Sequence, residues 1–355
     1  MTIFQNKKVL ITGHTGFKGF WLSLILKEMG AIVYGVSLEN KKEQRSHFYD
    51  LEGHTLLKNY FLDIRNLCDL EEVVEEIKPN YIFHLAAQAI VSKSFIDPIA
   101  TFTTNTIGSL NILEAVRKNL KNCIVVMITS DKVYENFEWV YGYRENDKLG
   151  GKDPYSASKA SAEIAINSYY NSFLKNSPFL VATARAGNVI GGGDWSKDRL
   201  VPDCIRSWIK NEDVLLRSPN STRPWQHVFD PLNGYLLLAE KLTIDSSISG
   251  ESFNFGPDSL NEYNVETAVK YLSDIWGDHS GFKKDDKIIL EEANLLKLNC
   301  DKSHKILNWK SIIDFKSSLE FTANWYKQSI KGFSNTKNVT YSQIEWFLLN
   351  NLCSK

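Results

Sequence analysis

An apolar run, Cys123 to Ile128, ends in Thr129-Ser130-Asp131-Lys132, which sets a hydroxyl, a carboxylate and an amine side by side. A second reactive pair follows at Tyr155 and Lys159, four residues apart and therefore on one face of a helix. A phenol with an ordinary pKa of about 10 is a poor base at neutral pH. An ammonium beside it favours the phenolate and makes proton abstraction feasible. Asp131 and Lys132 supply an acid and a base, or more simply an ion pair at a strand end. A lysine acts as a base only where burial or a neighbouring cation lowers its pKa, and Lys159 is the candidate cation.

These groups need a frame. Lys8 to Thr12 reads as a strand, Gly13-His14-Thr15-Gly16-Phe17-Lys18-Gly19 as a turn, and an apolar helical pattern continues through Leu26. Glycines let the backbone turn tightly and approach a pyrophosphate, while the helix N-terminus offers free N–H groups. Gly13, His14, Thr15, Gly16, Phe17 and Gly19 are thus candidate cofactor contacts. His14 is bulky for a phosphate turn and is expected to loosen binding there. Strands at Ile32 to Val36, Lys58 to Leu62, Tyr81 to Leu85 and Cys123 to Ile128 alternate with helical patterns at Leu67 to Ile77 and Pro98 to Lys118. Such alternation predicts an α/β fold with a Rossmann-type, doubly wound parallel sheet.

The crevice of such a sheet lies at the carboxyl ends of its strands. Ser37 can bond a ribose hydroxyl, although Lys41, Lys42 and Arg45 leave a 2′-phosphate open, or form only a solvated helix start. Asp63 can accept from an adenine amine or cap a turn. Ile64, Leu85, Ala86, Ala87 and Gln88 complete the strand exits. Asn105, on the long helix, is a crevice ligand or a satisfied structural amide.

The loop from Tyr134 to Lys152 is long for a connector, as functional or mobile loops are. Asp153 and Pro154 then start the Tyr155 helix as N-cap and first residue. After a sixth strand, Phe179 to Ala184, patterning turns irregular. Residues 1–187, with 226–256 returning to the sheet, are expected to form the cofactor domain; 188–225 and 257–355 are expected to form a smaller substrate domain. There, Arg199 and Arg223 face two readings, a diphosphate held by guanidinium forks or surface ion pairs, and Asn188 is a candidate substrate contact.

With 355 residues the chain is long enough for two such units, and its net charge of −1 argues against nucleic acid or anionic membrane as partner. The five cysteines are scattered, with no CxxC pair, and neither they nor the histidines show metal spacing. No leader and no membrane span is read, so a cytoplasmic enzyme with a small-molecule partner is expected.

Gly13-xx-Gly16-xx-Gly19 with Tyr155-xxx-Lys159 resembles the extended short-chain dehydrogenase/reductases that act on nucleotide sugars. Ser130-Asp131-Lys132-Val133-Tyr134, Gly187-Asn188-Val189-Ile190-Gly191-Gly192-Gly193-Asp194-Trp195 and Arg223-Pro224-Trp225-Gln226-His227 are similar to the 4,6-dehydratases among them. Most of these have a glutamate where Lys132 stands, and lysine marks the CDP-glucose branch. The resemblance implies NAD, a CDP-glucose substrate, and a homodimer through the helices Pro98 to Lys118 and Pro154 to Leu174, with Ala157, Ser158, Ala160, Ser161 and Ala162 allowing close approach. It implies Tyr155 as the base at the sugar 4-hydroxyl, Lys159 on the nicotinamide ribose, and Ser130 and Thr129 at the 4-oxygen. Thr129 and Gln88 would also border the cofactor, and Gln88 the substrate. Lys132 would remove the C5 proton while Asp131 protonates the departing 6-hydroxyl. The product would be a deoxysugar precursor of surface polysaccharide. A nucleotide-sugar 4-epimerase, a dehydratase of another nucleotide sugar and a silent NAD-sensing protein remain alternatives.

Overall fold

Val9, Leu10 and Ile11 are all fully buried, as a strand covered on both faces requires. Their side chains alternate between two cores: Val9, Ile11, Phe83 and Val126 face one layer, Leu10, Val36, Ile82 and Val125 the other. The computed structural model describes residues 2–39, 45–257, 263–277, 280–284 and 295–352. Its main sheet comprises β1 (Lys8–Thr12), β2 (Ile32–Ser37), β3 (Lys58–Phe61), β4 (Tyr81–His84), β5 (Cys123–Ile128), β6 (Phe179–Ala186) and β7 (Ser252–Phe255), in the order β7-β6-β5-β4-β1-β2-β3. All neighbours run parallel. The chain winds outward from β1 to β3, then returns to the other side of β1 for β4. That reversal opens a crevice at the carboxyl ends of β1 and β4.

Helices α1 (Phe17–Glu28), α2 (Leu67–Ile77), α3 (Gly108–Asn119), α4 (Pro154–Tyr169) and α5 (Phe229–Ile244) pack on the sheet. In α1 every residue from Gly19 to Leu26 is buried, the mark of a helix covered on all sides. The sheet covers one side and later parts of the chain the other, where the Trp21 indole donates to the Gly192 carbonyl at 2.8 Å.

The long helix expected from Pro98 to Lys118 is divided. An α-helical turn, Pro98–Phe102, passes through a π-helical turn, Thr103–Ile107, into α3. Asn105 sits in the wider turn, in the interior, where it is 1 % exposed. The loop from Tyr134 to Lys152 is anchored rather than loose: Tyr134 bridges Leu149, and Tyr143 bridges Leu298. Only its tip, Phe137 to Tyr141, carries large exposed apolar side chains.

Beyond β6 the chain builds small pairs, Val189–Ile190 with Gln226–His227, Thr222–Arg223 with Tyr263–Asn264, and Val214–Leu216 with Phe282–Lys284. Their helices, Leu200–Ile209, Val265–Trp276 and Phe315–Ser329, contribute Ile205, Leu272 and Trp325 to the core that holds Val9 and Phe20. The later segments therefore share a continuous hydrophobic layer with one face of the sheet.

Candidate active site

The glycine turn is built by close contacts. Gly13 has φ +75°, and a Cβ there would lie 2.8 Å from the Ala86 nitrogen. A Cβ on Gly19 would lie 2.1 Å from the Gly13 carbonyl oxygen. Neither space admits a side chain, so turn, β4 exit and α1 close on one another. Gly16 caps α1 without a side-chain hydrogen bond, leaving first-turn N–H groups for a ligand. The hydroxyls of Thr15 and Ser37 lie 3.0 Å apart beside it.

His14 departs from expectation. Its ring is fully buried beneath β2, filling the space left by Gly35, where a Cβ would meet the imidazole at 2.2 Å. Nε2 lies 2.9 Å from Asn59 Oδ1, and Phe48 and Phe61 pack on the ring. The imidazole therefore takes no room at the mouth of the turn, and the steric case for loosened binding falls away. Phe17 is half-buried and its ring reaches Gly191.

At the end of β5, Ser130 caps a short 3₁₀ turn, Asp131–Val133, by accepting from the Lys132 N–H at 3.2 Å. Its hydroxyl donates to Asp131 Oδ1 at 3.0 Å. Asp131 is 4 % exposed, and its Oδ2 sits where a Gly187 Cβ would come within 3.0 Å. Burial raises the Asp131 carboxyl above the usual range, against the opposing pull of the Lys132 ammonium. Lys132 itself is half-buried.

Asp153 caps α4 by accepting from the Ser156 N–H at 3.0 Å, with Pro154 in the first turn. The helix carries Tyr155 and Lys159 to the crevice, 8 % and 6 % exposed. Burial lowers Lys159 to about 8, with Glu163 opposing. Tyr155 differs from the sequence expectation, for burial lifts its phenol above the usual value, while the Ser130 hydrogen bond and the charge of Arg199 pull it down. In the protein alone, desolvation outweighs the Arg199 charge that favours the phenolate.

Three expected ligands have their polar atoms engaged elsewhere. Asn105 accepts from Gln88 N at 2.8 Å and donates to Gln88 O at 3.1 Å and Ser158 Oγ at 2.8 Å. Both amide protons are used, so it braces the β4 exit against α4 instead of donating to a cofactor. Thr129 gives its one hydroxyl proton to Glu163 Oε1 at 2.5 Å and has none left for a sugar oxygen. Asp63 is chelated by the Arg65 guanidinium, with Nε 2.9 Å from Oδ2. Ile64 is buried, and its Cδ1 fills the space over Gly108. The Gln88 side chain donates to Thr101 at 3.1 Å and accepts from Ile90 N at 2.6 Å, leaving one amide proton without a partner among the described residues.

Leu85 and Ala86 are tied to Thr12 by backbone N–H donation, at 3.1 Å to its carbonyl and 3.2 Å to its hydroxyl; Ala87 comes next, half-buried. Asn188 is half-buried at the β6 exit. Arg199 lies 3.6 Å from buried Asp194 and acts electrostatically on Tyr155 and Lys18, which puts its charge toward the crevice. Arg223 donates to the Thr222 carbonyl at 2.9 Å. Arg45 is stacked 4.0 Å over Trp195 and bonds Ser329 Oγ at 2.9 Å; that anchoring takes it from a 2′-phosphate role, while Lys41 and Lys42 lie outside the described residues.

One residue escaped the sequence reading. Lys18, between Gly16 and Gly19 of the glycine turn, is half-buried with its ammonium turned inward, 3.3 Å from the Tyr235 hydroxyl. Burial, with Arg199 and Lys159 adding to it, lowers Lys18 to about 7, and Asp131 is its opposing anion. The signal available in sequence was a charged residue in the first turn of an otherwise apolar, buried helix.

A parallel sheet with this glycine turn and a buried Tyr/Lys pair at its crevice defines an extended short-chain dehydrogenase/reductase. The chain belongs to the GDP-mannose 4,6 dehydratase family, which residues 10–322 match. It is 43 % identical over 336 residues to a CDP-glucose 4,6-dehydratase of Salmonella typhimurium, covering 93 % of each chain. A UDP-glucose 4-epimerase of Mycoplasma genitalium is 27 % identical over 72 % of this chain and 77 % of its own. Among solved structures, a UDP-glucose 4-epimerase of Stenotrophomonas maltophila with bound NAD superimposes with TM-score 0.80 at 18 % identity, over 92 % of this chain and 99 % of that one. A dTDP-glucose 4,6-dehydratase of Bacillus anthracis in complex with NAD gives 0.72 at 22 %, over 92 % and 98 %.

Proposed function

We propose that this protein is an NAD-dependent CDP-glucose 4,6-dehydratase, forming CDP-4-dehydro-6-deoxyglucose and water. The observation that carries the reading is the buried acid Asp131 beside Lys132, in the crevice that Tyr155 and Lys159 also face. An epimerase needs the tyrosine and lysine but no acid and base for water loss. The relative sharing 43 % of its residues carries the same named activity.

The cradle fits a dinucleotide: an α1 N-terminus with no side-chain cap, a turn with no side chain at Gly13, Gly16 or Gly19, and paired hydroxyls at the end of β2. Bound there, NAD supplies a reversible hydride acceptor for C4 and the donor for C6. Tyr155 takes the proton of the sugar 4-hydroxyl, and Ser130 hydrogen-bonds that oxygen once Asp131 is protonated and no longer accepts the Ser130 proton. Lys159 holds the nicotinamide ribose. Once C4 is a ketone, the C5 proton is acidic, and Lys132 removes it as the neutral amine, having first released its own proton to solvent. Asp131, whose carboxyl burial holds toward the protonated form, donates to the departing 6-hydroxyl. Arg199 and Arg223, with Asn188 and the remaining Gln88 proton, hold the nucleotide sugar between the sheet and residues 188–225 and 257–355, the substrate-binding unit.

The homodimer rests on exposed apolar side chains. Phe95, Ile96, Ile99, Ile107 and Ile164 line the outer side of the segments from 91 to 107 and of α4, with Ile96 83 % exposed. Covering such a side chain contributes about 1.5–3 kcal/mol. Ser158, Ala160 and Ala162 are buried within the subunit, where Thr106 donates to the Ser158 carbonyl at 3.1 Å; their close approach serves the chain's own helix rather than a partner. The reaction belongs in the cytoplasm, and its product feeds deoxysugars of surface polysaccharide; among the described residues no helix is long and apolar enough to cross a membrane.

Incubation with CDP-, dTDP-, UDP- and GDP-hexoses in turn, following loss of water by mass, tests the reading. Dehydration of CDP-glucose is expected. Turnover of another nucleotide sugar alone would overturn the base assignment, and a mass-neutral product would indicate an epimerase.

A further inference from the structure

Behind the reactive residues, a carboxylate and a guanidinium are buried as a pair. Glu163 lies one helical turn beyond Lys159 in α4 and Arg185 near the end of β6, each 3 % exposed. Arg185 grips Glu163 through two parallel bonds, Nε to Oε1 at 2.9 Å and Nη2 to Oε2 at 3.0 Å. Its other protons go to Tyr134 Oη at 2.8 Å, the Glu145 carbonyl at 2.9 Å and Ser252 Oγ at 3.1 Å. Glu163 also accepts from Thr129 at 2.5 Å and Thr183 at 3.0 Å.

As a source of stability, a buried pair of this kind roughly breaks even against apolar residues of the same volume. As a fixture it has reach. Thr129 immediately precedes Ser130-Asp131-Lys132, Tyr134 comes directly after Val133, and Glu163 shares a helix with Tyr155 and Lys159. One carboxylate thus joins the strand end that bears the acid and base to the helix that bears the phenol. We propose that the Glu163–Arg185 pair positions the two halves of the reactive cluster relative to one another, a role that rests on the dehydratase reading above. Glu163 acts through these residues and touches no reacting atom. The ionisable groups acting on or acted on by Lys159 are Glu163 on its own helix, Lys18 on α1 and His84 on β4. Glu163 is the anion among them, so its removal lowers the pKa of Lys159 further.

The test compares Glu163→Gln and Glu163→Asp with the unaltered protein, on whichever nucleotide sugar the unaltered protein dehydrates, so that an error in substrate assignment is separated from an error here. Glu163→Gln keeps the volume and loses the charge. Its kcat is expected to fall by about 10²-fold, the scale of a misplaced reactive group, with KM little changed. The alkaline limb of its kcat–pH profile should move down by about one unit as Lys159 loses its charge earlier. Glu163→Asp keeps the charge but shortens the brace, and should lose kcat with the limb in place. Wild-type kcat and an unmoved limb in Glu163→Gln would overturn the proposal. If that variant does not fold, wild-type kcat in Glu163→Asp overturns it alone.

Discussion

Asp131 and Lys132 are neighbours in sequence yet meet different surroundings. The aspartate is buried against Gly187 and held toward its protonated form, while the lysine remains half-buried. An acid prepared in this way suits donation to a departing hydroxyl. Lys132→Ala should still oxidise the sugar at C4, seen as accumulating reduced cofactor, but lose water elimination by about 10²–10⁴-fold, as removal of a general base does. Undiminished dehydration in that variant would remove Lys132 from the mechanism. Spacing pointed to Tyr155 and Lys159 as candidates because a helix places residues four apart on one face. It could not disclose the raised phenol of Tyr155, the inward ammonium of Lys18 or the engagement of Asn105 and Thr129. Each of those depends on which atoms lie around a group in three dimensions, and sequence order carries no record of that.

At the scale of elements, β2 and the glycine turn are fitted to each other through His14 and Gly35. Gly35→Ala would drive a methyl into the imidazole and should destabilise the protein by about 1–3 kcal/mol, as overpacking does. In a His14→Ala background the same methyl enters vacated space, so the penalty should shrink measurably in denaturant unfolding. Additive effects of the two changes would show that the ring does not fill that site. The strand and helix pattern was legible because both faces of the sheet demand apolar runs. The π-helical turn at Thr103–Ile107 was not, since one added residue leaves the apolar composition of a helix intact while rotating the side chains beyond it. Asn105 lies within that turn and is buried.

The whole molecule shows what its surface and its buried histidines impose. If Phe95, Ile99, Ile107 and Ile164 meet a second copy, Ile107→Arg with Ile164→Arg should convert the protein to a monomer in sedimentation equilibrium; a persisting dimer would place the interface elsewhere. The buried imidazoles of His47, His84 and His227 are each lowered to about 3 in the folded state. The unfolded chain takes up those protons near pH 6.5, so their contribution to stability is lost as pH falls below that value. Asp230, raised to about 7, works in the opposite sense. With three protons set against one, unfolding free energy should drop by about 2 kcal/mol between pH 7 and 5.5. A flat stability profile from denaturant titrations would contradict it.

Lys18 and Lys159 converge on one crevice with lowered values, about 7 and about 8. Near neutrality both are partly discharged before any anion arrives, and a phosphate brought close restores their charge. Ligand association should therefore draw protons out of solution. Its heat would depend on the ionisation enthalpy of the buffer, and affinity for a diphosphate-bearing molecule would weaken as the medium turns alkaline.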